Sequence, residues 1–437
     1  MKRRRKQAAL SADIDDDYNT RRAKNNEAVK RSREKARKQK EEMDAKLKRL
    51  SAENDELEMN VMLLSEELAR VKQLAFSKTP CDPQACPFKG NEIMEAFIGI
   101  EGGATHSGAV LLDKNGNILS DYCGPSTNYH LIGRENCVHN IEHIYNTVIS
   151  ASAIKVTIKA MGLALSGIDE EEGKNALIEA LALRFEPNIS RDSIYVCNDS
   201  LCCIATAGAF GMGCVSGTGS NCMFLTKNGT VKSCGGFGHM ICDDEGSGYW
   251  IAHRAIQTVV KHLDDFSTCE YPIDRVVDAT WDFFKVSHLN DLIPFFYENF
   301  SKAHIASFTV TLAELAREES NTLCRRLFYQ AGQDLGKMMA SVARKSIKEE
   351  NIVDSDNVLT VVAAGSVWKS FDLLREGIES SITLFPVEVD KLRLIRITVP
   401  NAVGAALLSA AHINMEISIN YQNNFVILHE FEIHKKN

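Results

Sequence analysis

Ile93-Met94-Glu95-Ala96-Phe97-Ile98-Gly99-Ile100 runs directly into Glu101-Gly102-Gly103-Ala104-Thr105. A short apolar run stopped by paired glycines predicts a buried strand over 93–100 followed by a tight turn. Working outward, 108–112 and 118–122 are again apolar and flank Lys114-Asn115-Gly116-Asn117. Asn-Gly tolerates the positive φ of a two-residue turn, so these segments predict a hairpin. The pattern then predicts a helix over 131–151, a buried strand over 160–166, a helix over 171–185, a strand over 193–198 and a helix beginning at 201–207. After Gly211 the three-strand pattern restarts with 213–216, 222–226 and, past Asn228-Gly229, 231–233. A meander that occurs twice predicts a duplicated α/β fold of two lobes with a cleft between them.

Candidate chemistry gathers at four places. Gly102-Gly103-Ala104-Thr105 ends the first strand, and its small residues let backbone amides approach a phosphate. Ser216-Gly217-Thr218-Gly219-Ser220-Asn221 repeats that logic at the opening of the second lobe. Asp199 is read as the end of a buried strand facing the cleft, where a carboxylate can take a proton from an attacking hydroxyl. Ala363-Ala364-Gly365-Ser366-Val367-Trp368 follows the apolar run 358–362 and suits close approach to a nucleotide base. The P-loop pattern is absent, and Gly211-x-Gly213 lacks the strand–helix context of a dinucleotide fingerprint. These residues support nucleotide binding or phosphoryl transfer and do not identify the acceptor.

The first 80 residues are of another kind. They hold 21 Lys and Arg against 15 Asp and Glu, leaving 29 against 43 for the rest, so a basic end precedes an acidic body. Residues 18–76 contain neither Pro nor Gly, which favours one long helix. Met43, Leu50, Leu57, Leu64 and Val71 recur every seven residues, with Leu47, Val61 and Leu68 three before members of that set. This is the a/d seam of a two-stranded coiled coil, and Asn54 in the a column fixes register and dimer state. The basic stretch 18–40 lies upstream in helical phase. Pro80, Pro83, Pro87 and Gly90 mark a linker over 77–92. Cys81 and Cys86 within it have no second pair, which argues against a zinc site.

With 44% hydrophobic and 25% charged residues, the composition is that of a folded protein of two or three units and excludes a wholly disordered or fibrous chain. No apolar run reaches the roughly 18 residues of a membrane span, and Lys2-Arg3-Arg4-Arg5-Lys6 has no apolar stretch behind it to make a secretory signal. The 13 cysteines are odd in number and scattered, which suits a reducing cytoplasm or nucleus.

Arg21-Arg22-x-x-Asn25-Asn26-x-Ala28-Val29-x-x-Ser32-Arg33 resembles the basic region of bZIP proteins of the CCAAT/enhancer-binding class. The resemblance implies that Arg21, Arg22, Asn25, Asn26, Ala28, Val29, Ser32 and Arg33 contact DNA. It further implies that the zipper of Leu47, Leu50, Asn54, Leu57, Val61, Leu64, Leu68 and Val71 makes homodimers or heterodimers with other bZIP chains. From about residue 95 onward, further words resemble the sugar kinase/actin/heat-shock-protein ATPase superfamily, in its BadF/BadG-like N-acetylglucosamine kinase branch. They include Ser126-Thr127-Asn128, Leu163-x-Leu165-Ser166-Gly167 and Ser216 to Asn221. Gly235-Gly236-Phe237-Gly238-His239-Met240, Asp244-Glu245-Gly246-Ser247 and Gly365-Ser366-Val367-Trp368-Lys369-Ser370 complete the set.

That resemblance implies a bilobal ribonuclease H-like, actin-like ATPase fold that phosphorylates the 6-hydroxyl of N-acetylglucosamine with ATP. Gly103, Thr105, Thr218, Ala306, Gly365 and Ser366 would bind ATP. Asn128, Tyr129, Ser220, Gly236, Phe237, Gly238 and Asp244 would hold the sugar, Asp199 would be the general base, and Mg²⁺ would accompany ATP, with no protein side chain assigned to it. Five departures stand out: Ala104 for a third glycine, Phe237 for Trp, Tyr129 for His, one residue missing between Asp199 and Ser216, and about one added residue at Cys242-Asp243 that leaves Asp243 and Asp244 both candidates for the sugar carboxylate. The expected organisation is a tail over 1–17, bZIP over 18–76 (basic region 18–40, zipper 43–74), linker over 77–92, first lobe over 93–209 with 425–437 as a candidate addition, and second lobe over 210–424. The kinase is expected in the cytoplasm, or in the nucleus if the zipper operates, with no membrane partner. The alternatives are a bZIP transcription factor whose kinase-like part senses amino sugars, and a mistaken join of two genes.

Overall fold

The computed structural model describes residues 93–433, apart from 104–105, 167, 169, 319–320 and 349. The expected tail, basic region, zipper and linker, together with Ala104 and Thr105, lie outside the described residues.

Five strands form the first sheet: β1 (Met94–Gly102), β2 (His106–Asp113), β3 (Ile118–Pro125), β4 (Val156–Leu165) and β5 (Ile194–Cys197), in the order β3-β2-β1-β4-β5. Here β1, β2 and β3 are an antiparallel meander, while β4 and β5 run parallel to β1. Helices α1 (Tyr129–Ser150) and α2 (Glu171–Phe185) make the crossovers, and α3 (Asp199–Ala207) leaves β5 for the second sheet.

The second sheet repeats the plan. A meander of β6 (Gly211–Ser216), β7 (Ser220–Leu225) and β8 (Val231–Gly235) is followed by β9 (Val358–Ala364) and β10 (Lys391–Ile397), parallel to β6, and then by β11 (Phe425–Glu432), giving the order β11-β10-β9-β6-β7-β8. Between β8 and β9 lies a helical insertion that includes α4 (Gly248–Leu263), α5 (Asp274–Phe284), α6 (Lys302–Ser307), α7 (Thr309–Arg317) and α8 (Thr322–Ser346); α9 (Phe371–Glu379) and α10 (Ala402–His412) follow β9 and β10.

The terminal strand corrects one expectation. Residues 425–432 pair antiparallel with β10 and extend the second sheet, so this segment does not belong with the first lobe. The segment that returns to the first lobe is α10. Strand β1 is apolar over residues 96–100 because both its faces are covered there. Alternate residues Ala96, Ile98 and Ile100 pack with Ile141, Ile144 and Val148 of α1, whereas Phe97 packs with Ala402, Val403 and Ala406 of α10. That is the period-2 alternation of a strand between two helical layers. Glycines bring α10 closer still: a β-carbon on Gly99 would lie 1.9 Å from the Ala402 carbonyl oxygen, and one on Gly162 would lie 1.8 Å from that of Ala405.

Candidate functional site

The two glycine turns sit at matching places in the two sheets. In the first lobe, the Gly103 amide donates to the His106 carbonyl at 3.1 Å and closes the β1–β2 turn. The Ser126 hydroxyl donates to the Gly103 carbonyl at 2.9 Å, and Thr127 covers Gly102 so tightly that a β-carbon there would be 2.1 Å from Thr127 Oγ1. The turn and the Ser126-Thr127-Asn128 segment are therefore one unit. Asn128 caps α1, its Oδ1 accepting from the Leu131 amide at 3.0 Å, which satisfies one orphan donor of the first turn. Tyr129 begins the helix and is half-buried against the core beneath α1.

In the second lobe, the Gly217 amide donates to the Gly219 carbonyl at 2.9 Å, leaving Thr218 exposed at the tip of the β6–β7 hairpin. The hydroxyls on either side staple the hairpin to the following segment: Ser216 donates to the Gly246 carbonyl and Ser220 to the Glu245 carbonyl, both at 2.7 Å. Gly365 follows β9 at φ +101°, and a β-carbon there would meet the Ser216 carbonyl oxygen at 2.3 Å. Only glycine permits that contact, which brings Gly365 and Ser366 against the hairpin. The Gly248 amide donates to the Gly217 carbonyl at 2.8 Å, and a β-carbon on Gly248 would be 3.3 Å from the Ala306 carbonyl. Thr218, Ala306, Gly365 and Ser366 thus converge from well-separated parts of the chain.

Asp199 is not at a strand end. β5 stops at Cys197, Asn198 caps the next helix by accepting from the Ser200 amide at 2.9 Å, and Asp199 is the first residue of α3. A carboxylate in a first helical turn is favoured by the helix dipole. The Ser166 hydroxyl donates to Asp199 Oδ2, and the Ser166 amide donates to the Gly102 carbonyl at 3.0 Å, so the carboxylate is tied back to the first glycine turn.

Beside it stands Glu101, which none of the sequence motifs singles out. Burial raises the Glu101 pKa; a hydrogen bond from Asn401 Nδ2 at 3.4 Å opposes this, and the negative charge of Asp199 adds to the rise. Its place directly before Gly102-Gly103 is the signal by which the sequence could have pointed to it. Asn401, 300 residues away at the start of α10, carries none.

The remaining segment supplies a loop and a second carboxylate. Gly235, Gly236 and Gly238 all have positive φ, near +80 to +90°, and hold a tight loop that presents Phe237 at 66% exposure. A β-carbon on Gly236 would be 3.0 Å from Asn221 Nδ2. Asp243 and Asp244, where the resemblance implies an added residue, are both left-handed at φ 50° and 51°. They diverge: Asp243 pairs outward with Arg254 at 3.1 Å, whereas Asp244, its side chain only 3% exposed, pairs with Lys302 Nζ at 2.5 Å beside Gly219. The geometry therefore favours Asp244 as the inward carboxylate. His239, of no assigned role, stacks on Phe300 at 5.2 Å and leans on Tyr249 at 4.7 Å, which braces the loop.

A cavity of about 700 Å³ lies beside this constellation, lined by Lys174, Tyr195, Asn198, Leu201, Asn221 and His412 among others. It borders the site through Asn198 and Asn221 and contains none of the proposed reacting groups. Among the described residues no group of three or more His, Cys, Asp or Glu side chains is arranged to hold a metal ion, and no helix is long and apolar enough to cross a membrane.

Comparison with known proteins agrees with this architecture. The model of the BadF/BadG/BcrA/BcrD ATPase family matches residues 98–409, and that of the basic region leucine zipper matches residues 14–67. The N-acetyl-D-glucosamine kinase of Dictyostelium discoideum is 25% identical over 335 residues, covering 72% of this chain and 98% of that protein. CCAAT/enhancer-binding protein delta of Mus musculus is 45% identical over 67 residues, covering 15% of this chain and 25% of that protein. The crystal structure of a candidate N-acetylglucosamine kinase from Chromobacterium violaceum superposes with a TM-score of 0.53 at 19% identity, covering 72% of this chain and 99% of that one, which supports the two-lobed fold. Behind a basic-leucine-zipper-like N-terminal segment, the chain belongs to the BadF/BadG/BcrA/BcrD ATPase family.

Proposed function

We propose that this chain transfers the γ-phosphoryl group of ATP to the 6-hydroxyl of N-acetylglucosamine, and that its N-terminal segment dimerises and binds DNA. The observation that carries the first part is Asp199, held by Ser166 and tied to the first glycine turn. Phosphoryl transfer asks little covalent chemistry of a protein; it needs positioning, charge stabilisation and an acceptor for the hydroxyl proton. Asp199 is that acceptor. Asn128, Tyr129, Ser220, Asp244 and the Gly236-Phe237-Gly238 loop hold the sugar, and the Phe237 ring gives an apolar face without an indole donor. Gly103, Thr105, Thr218, Ala306, Gly365 and Ser366 hold the nucleotide.

Mg²⁺ bound with ATP would offset charge on the β- and γ-phosphates, and Glu101, beside the Asp199 base, would offer it a hard oxygen donor. Their mutual repulsion, part of what raises the Glu101 pKa, is what a cation would relieve.

The expected result for the full chain with ATP, Mg²⁺ and N-acetylglucosamine is sugar-dependent ADP release, with a phosphate monoester on O6 visible by ³¹P NMR. A folded chain that binds the sugar without turnover would favour the second reading, in which the kinase-like part senses amino sugars for a transcription factor. That reading is kept because residues 14–67 match the zipper family.

For the N-terminal segment, a mobility shift on a CCAAT/enhancer-type palindrome is expected. Its affinity should fall by about 10³ or more between roughly 50 and 200 mM salt if some six or more phosphates are neutralised. No shift at low salt would leave the zipper a dimerisation device alone. The kinase activity belongs in the cytoplasm, and the DNA-binding segment would operate in the nucleus.

A further inference from the structure

We propose that Lys302 is a phosphate-binding residue of the kinase site, contacting the terminal phosphoryl group between the second glycine turn and the sugar carboxylate. The inference rests on the kinase reading and adds a residue to it. Lys302 opens α6, whose first turn is capped by Ser301 Oγ accepting from the His304 amide at 3.2 Å. Four residues on, and so on the same face of that helix, lies Ala306, proposed above to touch the nucleotide. The ammonium is held in place on two sides. Asp244 Oδ2 is 2.5 Å away, and a β-carbon on Gly219 would come within 3.1 Å of Nζ, so the charge lies directly against the Thr218 hairpin.

The asymmetry of this pair is informative. The Asp244 side chain is 3% exposed and that of Lys302 is 28% exposed. A buried carboxylate needs a partner, since an uncompensated buried charge is strongly destabilising. The lysine supplies the compensating charge at 2.5 Å while keeping a solvent-facing side, and Asp244 Oδ2 has no hydrogen-bond partner of its own among the described residues. A cation pinned between a proposed phosphate turn and a proposed sugar ligand is placed where negative charge spreads over the transferring group's oxygens. Gly219 is also explained, because any side chain there would crowd the ammonium.

The test measures binding by the full chain, with Mg²⁺ present, of ADP, a non-hydrolysable β,γ-imido ATP analogue and N-acetylglucosamine, for wild type, Lys302→Met and Lys302→Arg. Wild type should prefer the triphosphate analogue over ADP. Lys302→Met should lose about tenfold or more of that preference, the usual scale of a lost charge-assisted bond, and Lys302→Arg should restore part of it. Sugar affinity should change less than about threefold.

Unchanged nucleotide preference with weakened sugar binding would overturn the assignment and reduce Lys302 to a positioning residue for Asp244. If Lys302→Met does not fold, Lys302→Gln, which keeps a polar donor toward Asp244 but no charge, must show the same selective loss, and its failure to do so would equally overturn the proposal. A wild-type chain that binds no nucleotide would instead remove the kinase reading itself.

Discussion

Asp199→Asn should lower N-acetylglucosamine-dependent ADP release by about 10² to 10⁴, the usual worth of a positioned general base. The amide keeps the shape of the carboxylate, and Asn is tolerated in a first helical turn, so α3 should survive. The Ser166 hydroxyl can still donate to the amide oxygen that replaces Oδ2. What is lost is the proton acceptor, together with one of the two negative charges that face each other at Glu101.

The measurement is steady-state turnover beside sugar affinity and a thermal melt. Retained folding and sugar binding with collapsed kcat would support the base assignment. Turnover within about threefold of wild type would overturn it and leave Glu101 as the carboxylate to test next. The Glu101 pKa is raised in the folded chain chiefly by burial and further by Asp199, so removing the Asp199 charge removes one cause of that rise.

Gly404→Val should destabilise the folded body by about 3 kcal/mol or more, since overpacking of this degree forces backbone apart. A β-carbon at 404 would lie 1.9 Å from the Cys202 carbonyl oxygen and 2.6 Å from Thr206 Oγ1. The substitution would also disturb the bond from the Gly404 amide to Thr206 Oγ1 at 2.9 Å. α10 cannot retreat on its other side, where Gly99 and Gly162 already bring β1 and β4 against its backbone.

A fall in Tm of roughly 6 °C is expected, at about 2 °C per kcal/mol for a body of this size. Gly108→Ala is the control, because nothing lies within 4 Å of a β-carbon there. Equal melting of the two variants would show that α3 and α10 can slide apart. The cost should also reach the chemistry, since α3 begins at Asp199 and α10 follows Asn401, the partner of Glu101.

Features written into a few consecutive residues are legible in the sequence itself. Helix α2 spans Glu171–Phe185 as expected, and the two meanders stand where apolar runs flank Asn115-Gly116 and Asn228-Gly229. Hydrophobic period and the φ demands of glycine act over short distances, so a linear reading recovers them. The end of β5 differs from expectation by a residue or two because Ile194, Val196 and Cys197 are apolar and nothing marks the strand's end except Asn198, which is the cap of the next helix. Cap and strand end look alike until the cap's hydrogen bond is seen.

The amino-acid sequence alone was sufficient for the α/β class, the repeated meander, the paired glycine turns and the heptad seam, since each is set by neighbours in the chain. Tertiary structure was needed for the rest. It assigned 425–432 to the second sheet, separated Asp244 from Asp243, and joined Glu101 to Asn401 and Asp244 to Lys302. The two pairings join residues far apart in the chain, and a contact of that separation leaves no trace in local composition. It exists only because two sheets and the helices between them are packed closely enough to bring the partners within a few ångströms.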